Sequence, residues 1–166
     1  SVALGEADFS LGTDTAGSGR IPAALNGLVG LKATRGLFPT RGVVPACRSL
    51  DCVTTFTRCV ADAAALLEVM EGADPGDPEG RTVTPRWFSG TPRIAVPTTA
   101  SLDFPDPAYG PDLFDAARAR LAELGCEIVE IDVTPFVEAG NLLYSGPWVA
   151  ERTAAVGDFL RDHPDE

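Results

Sequence analysis

GTDTAGSGR, residues 12–20, sets one serine inside a glycine-rich turn. Lacking a Cβ, glycine adopts backbone angles that other residues avoid, so several N–H groups in such a turn can converge on one point beside the Ser18 hydroxyl. Acyl transfer needs that pairing, an oxygen nucleophile together with donors aimed at the oxyanion that develops during attack. The candidate oxyanion donors are the N–H groups of Thr15, Ala16 and Gly17, with that of Ser18 itself. On composition alone the stretch is an ordinary connection between a strand and a helix. From Gly12 to Gly17 it also fits a phosphate-binding G-x-x-x-x-G loop, but Ser18 stands where that loop needs its lysine.

An activating base is harder to find. The chain has one histidine, His163, and one lysine, Lys32. His163 lies in the terminal stretch DHPDE, which reads as a solvated end, so a Ser-His-Asp triad is not expected. Arg20 follows the turn and Asp14 lies within it, and the two are expected to brace the loop as a charge pair, with Asp51 also structural.

Outward from the turn, GTDTAGSGRIPAALNGLVGLKATRGLFPTRGVVPACRSLDCV resembles the amidase signature family in the order and spacing of its glycines and in Ser18, Arg20, Pro22, Lys32, Pro45 and Asp51. A match over some forty consecutive residues is far more specific than a bare G-x-S-G. The resemblance implies that Ser18 is the nucleophile of a Ser-cisSer-Lys triad, that the relay serine and the lysine lie upstream of this chain, and that Lys32 is not the catalytic lysine. It implies an α/β fold, layered α/β/α around a mixed sheet and present here in part. Residues 1–166 then form a single incomplete amidase domain. Residues 1–72 are its signature core with the nucleophile turn, 73–92 a connector, and 93–166 a substrate-side α/β segment. The isolated 166 residues are expected to hydrolyse no amide.

Local patterns give alternating strands and helices. Residues 2–11 suggest a strand feeding the turn. Residues 21–25 open a short helix with Pro22 early in it, ended by Asn26 and Gly27. Residues 28–31 and 52–59 read as strands, and 36–45 as an extended loop. Apolar spacing predicts a helix over 60–70 stopped by Gly72. The Pro- and Gly-broken stretch 72–92 cannot build a core, and Trp87 and Phe88 are expected to pin it to the surface. Strands follow at 93–97 and 126–133. Between them a helix over 112–124 should bury Leu113, Phe114, Ala117, Leu121 and Leu124 on one face.

The segment LLYSGPWVAER, residues 142–152, resembles the allophanate hydrolases within the family, as does GVVPACRSLDCV. The resemblance gives Tyr144 and Arg152 a substrate-binding role, with Arg152 on a carboxylate and Tyr144 offering a hydroxyl. A planar guanidinium suits a carboxylate. Eight residues apart, the two side chains would share one face of a helix, unless Pro147 kinks or starts it. The implied reaction is hydrolysis of allophanate, a small anionic amide, to ammonia and carbon dioxide in urea degradation. No metal or organic cofactor is implied; a homodimer and a functional link to urea carboxylase are. Another amidase with a different amide, or an amidotransferase subunit of a tRNA-dependent complex, remains open as an alternative.

A formal net charge of −11 argues against nucleic acid, and no apolar run is long enough for a bilayer, so no membrane is expected. Cys47, Cys52, Cys59 and Cys126 form no C-x-x-C pair and have no histidine nearby, so they read as buried free thiols in a reducing, cytoplasmic setting.

Overall fold

The structure, a computed structural model, describes residues 1–84 and 89–164. Trp87 and Phe88 lie outside the described residues. The chain divides into two compact units, one of residues 1–84 and 142–166, the other of residues 85–141.

The first unit opens on a 3-10 turn, Val2–Leu4, not on the strand expected over 2–11. Hydrogen bonds from Gly5 N–H to Val2 O and from Glu6 N–H to Ser1 O close the chain on itself before any ladder can form. Only β1 (Ser10–Thr13) is extended. The turn follows, then α1 (Arg20–Leu25), β2 (Val29–Lys32), β3 (Val53–Thr57) and α2 (Val60–Met70). The strands form an antiparallel sheet in the order β1-β3-β2. Gly12 and Lys32 both pair with Thr54, and Leu11 and Leu31 both pair with Thr55, so the central strand fixes where β1 releases the chain into the turn. Thr54, Thr55 and Thr57 of β3 are buried, which suits β-branched residues on a pleated surface covered on both faces.

Residues 72–81 are held against the loop 36–41 more firmly than a connector of their composition suggests. Gly72 N–H donates to Leu37 O at 3.1 Å and Arg81 N–H to Gly36 O at 2.9 Å. Buried Asp77 accepts from the N–H and hydroxyl of Thr40 at 2.7 and 2.8 Å. Leu37 and Phe38, on that loop, are buried, as are Val2, Ala23, Cys47 and Leu143.

In the second unit, β4 (Arg93–Pro97) and β5 (Glu127–Ile131) pair in parallel with α3 (Gly110–Glu123) between them in sequence. The single buried face expected of α3 is not formed. Leu113 and Leu124 are 69% and 64% exposed, Ala117 is exposed, and only Phe114 and Leu121 are half-buried. Two strands give the helix too narrow a surface for a full stripe. Phe114 instead meets the edge of Phe104 at 6.0 Å and carries the Arg118 guanidinium on its ring.

α4 (Thr134–Ser145) begins in this unit, and its last turn, from Leu142, belongs to the first. α5 (Trp148–Asp162) has Pro147 as its N-cap. Tyr144 and Arg152 therefore stand on two successive helices, not on one face of a single helix. Proline has no N–H to continue α4 but a φ suited to starting a new helix. All four cysteines are free, with Cys47 and Cys52 buried, Cys126 half-buried and Cys59, contrary to expectation, exposed at the start of α2. No helix among the described residues is long and apolar enough to cross a membrane.

Candidate active site

The turn after β1 is built around the carboxylate of Asp14, which is fully buried. It accepts hydrogen bonds from Gly17 N–H at 2.6 Å, from Arg20 N–H at 3.0 Å, and from the Arg20 guanidinium at 3.0 and 3.2 Å. Burial by itself would raise the Asp14 pKa, but the bonds from the Arg20 side chain, Arg20 N–H and Gly17 N–H outweigh it and hold the carboxyl well below the usual carboxylate range. The same pairing raises the Arg20 pKa. Lys32 Nζ adds a charge 3.8 Å from Asp14 and donates to Thr15 O at 3.1 Å. Its ammonium thus braces the turn from β2. Gly17 has φ 132°, a conformation L side chains rarely adopt, which turns its N–H inward to Asp14.

That inward N–H corrects one sequence expectation. Gly17 was placed among the oxyanion donors, but a buried carboxylate must be satisfied by donors, and Gly17 supplies one. Among the described residues, the N–H groups of Thr15, Ala16 and Ser18 have no acceptor. Ser18 is exposed, and its hydroxyl donates to Thr13 O at 3.1 Å. His163 sits at the end of α5, stacked on Phe159 at 4.4 Å, and does not line the cleft beside Ser18.

A second carboxylate ties the turn to the loop of residues 46–51. Asp51, also buried, accepts from the Thr15 hydroxyl at 2.5 Å and from the N–H groups of Ala46 and Cys47 at 3.0 and 3.1 Å. The same loop receives α5. Glu151 accepts from Ser49 N–H at 3.0 Å, from the Ser49 hydroxyl at 2.6 Å and from the Cys47 thiol at 3.3 Å. Trp148, one turn earlier, donates its indole N–H to the Ser49 hydroxyl at 3.2 Å. The Ser49 hydroxyl and N–H hold the Glu151 carboxyl below its ordinary pKa, while burial pushes the Cys47 thiol up.

These anchors frame an open cleft of ≈ 340 Å³ in the first unit. The residues given a nucleophile, oxyanion or substrate role from the sequence line it: Ser18, Thr15, Ala16 and Gly17 from the turn, Tyr144 from the end of α4 and Arg152 from α5. Leu143, Ile21 and Ala46 complete the lining. The volume lies at the low end of small-molecule sites, roughly 300–1,000 Å³. Arg152 has no carboxylate partner among the described residues, so its guanidinium is available to a ligand. No group of three or more His, Cys, Asp or Glu side chains among the described residues could hold a metal ion.

Glu151, Ser49 and Trp148 had no assigned role in the sequence. Glu151 and Ser49 are 102 residues apart, and a lone acid on a helix gives no sign of such a partner. The only hint was the spacing of Trp148 and Glu151, three residues apart and so on one side of a helix, next to but distinct from the side bearing Arg152.

A strand feeding a braced serine turn, beside a cleft lined by that turn, is an arrangement suited to an oxygen nucleophile. The model of the Amidase family matches residues 1–165, and the chain belongs to that family. It is 44% identical over 171 residues to the urea amidolyase of Saccharomyces cerevisiae, covering 98% of this chain and 9% of that protein. The urea amidolyase of Lachancea kluyveri is 43% identical, over 99% of this chain and 9% of its own length. Among solved structures, the selenomethionine-substituted allophanate hydrolase of Kluyveromyces lactis superposes with a TM-score of 0.89 at 43% identity, covering 99% of this chain and 27% of that one. The chain thus spans about a tenth of the length of these curated relatives.

Proposed function

We propose that this chain carries the nucleophile and the substrate-side wall of an amide hydrolase acting on a small, carboxylate-bearing amide of the allophanate type. The observation that carries it is that one cleft holds together a serine hydroxyl and, among the described residues, backbone N–H groups without an acceptor and a guanidinium without a carboxylate partner. The similarity to allophanate hydrolase and urea amidolyase supports the choice of substrate.

In this mechanism Ser18 Oγ leaves its hydrogen bond to Thr13 O and attacks the carboxamide carbon. Its proton passes to a base that this reading takes, by the family resemblance, to be a relay serine and a lysine upstream of these 166 residues. Thr15 and Ala16 N–H, with that of Ser18, donate to the oxyanion, the charge that preorganised amides stabilise best. Ammonia leaves with one proton and the acyl group stays on Ser18. Water then attacks the ester, freeing Ser18 and an amine bearing two carboxylates, which breaks down to carbon dioxide and ammonia. Arg152 holds the substrate carboxylate and Tyr144 a polar group of the urea skeleton. A carboxylation of urea would supply such a substrate, which accords with a link to urea carboxylase.

The test compares ammonia release from allophanate, malonamate and simple aliphatic amides in the full-length protein. Ser18→Ala is expected to abolish turnover, and Arg152→Ala to raise KM for the anionic amides roughly ten- to a hundredfold, the worth of one charge-assisted hydrogen bond. An active Ser18→Ala enzyme, or one that prefers neutral amides, would refute the proposal.

A further inference from the structure

Arg152 and Glu151 are neighbours on α5 but serve different surroundings. Arg152 lines the cleft, whereas Glu151 reaches the loop 46–51. Three donors converge on Glu151, the N–H and hydroxyl of Ser49 and the thiol of Cys47, and Trp148 closes on the same Ser49 hydroxyl. That hydroxyl has a single proton, given to Glu151 at 2.6 Å, and uses its lone pairs to accept from the indole, so α5 is held at two successive turns by one side chain. The loop has a second attachment. Its Ala46 and Cys47 N–H groups are bound by Asp51, whose carboxylate also takes the Thr15 hydroxyl from the nucleophile turn. A continuous series of hydrogen bonds therefore runs from the helix carrying Arg152, through Glu151, Ser49, Cys47 and Asp51, to the turn carrying Ser18.

We infer that Glu151 is a positioning residue: through Ser49 it sets the distance between the Arg152 guanidinium and the Ser18 turn, and so the affinity for the substrate carboxylate. This rests on the reading of Arg152 as the carboxylate's partner. Glu151 itself does not line the cleft. Its geometry matters because a charged group displaced by about 1 Å loses much of its effect on a bound ligand, with penalties that reach two orders of magnitude.

The experiment uses the full-length enzyme and two amides matched in size, one carrying a carboxylate and one with a neutral carboxamide in its place. Glu151→Ala and Ser49→Ala are each expected to raise KM for the anionic amide about tenfold while kcat stays within twofold, and to leave kcat/KM for the neutral amide unchanged. Glu151→Gln, which keeps one acceptor for Ser49, should recover most of the loss. In an Arg152→Ala background, Glu151→Ala should add nothing further, because the group it positions is gone. Equal losses on both amides, a fall in kcat alone, or losses that add to those of Arg152→Ala would overturn the proposal and assign Glu151 to stability only. If Arg152→Ala itself leaves the anionic preference intact, the carboxylate reading fails first and this inference falls with it.

Discussion

Asp14→Asn isolates the forces that hold the nucleophile turn. The wild-type carboxylate is fully buried and accepts four hydrogen bonds, two from backbone N–H groups and two from the Arg20 guanidinium. Asparagine keeps one acceptor oxygen and turns an NH2 toward groups that can only donate. Removing one member of a buried ion pair costs about 3–5 kcal/mol. The Arg20 side chain is 52% exposed, so water takes over part of its solvation and the lower end, about 3 kcal/mol, applies. At about 1.4 kcal/mol per decade, the turn should open on the order of a hundredfold more often. Hydrogen exchange on a peptide covering residues 12–25 of the full-length protein reads this directly, since the Gly17 and Arg20 amides are the donors released. The pH dependence is the second arm. Because the folded Asp14 pKa lies below its unfolded value, its contribution is full above about pH 4 and shrinks as pH falls from there toward the depressed folded value. The asparagine variant lacks that dependence. Exchange at these amides within threefold of wild type would refute the account of the turn as organised by Asp14.

Two further outcomes follow from burial. A maleimide at neutral pH should label Cys59 well before Cys47 and Cys52, which are 0% and 5% exposed and whose thiols burial pushes up; peptide mass mapping that finds Cys47 labelled as fast as Cys59 would contradict the packing of the loop 46–51. Thr55→Val should stabilise the protein by up to about 1 kcal/mol in thermal unfolding, because the Thr55 hydroxyl is buried without a hydrogen-bond partner among the described residues; a loss of stability would mean the hydroxyl is satisfied in solution.

The parts of the fold legible in the sequence are those whose signals are local. The helix over 60–70 is announced by its apolar spacing and found with those bounds, and RIAVP at 93–97 is found as a strand. The strand expected over 2–11 fails because Gly5 allows the chain to close a turn first. The sequence does not announce α4 before residue 142, since TPFVEAGN has Pro135 in second place and contains Gly140, and both weaken a helical pattern. In the cleft, the Asp14–Arg20 brace was legible because both charges lie within seven residues of one motif. The engagement of Gly17 N–H was not, because which way an amide points depends on backbone angles that composition leaves open. Glu151 was illegible for a different reason: its partners are a hydroxyl, a thiol and a main-chain N–H on a distant loop, none of which carries a charge to match.

The loop 46–51 is bound largely through its main chain: Asp51 takes the N–H groups of Ala46 and Cys47, and Glu151 that of Ser49. Every residue except proline offers the same N–H, so the exposed side chain at 48 can change without altering how the loop is held. Mutational drift is thereby absorbed at that position. It is penalised at Ser49, Asp51 and Glu151, and the spacing across the cleft is inherited through three side chains while the surface of the loop is left free to vary.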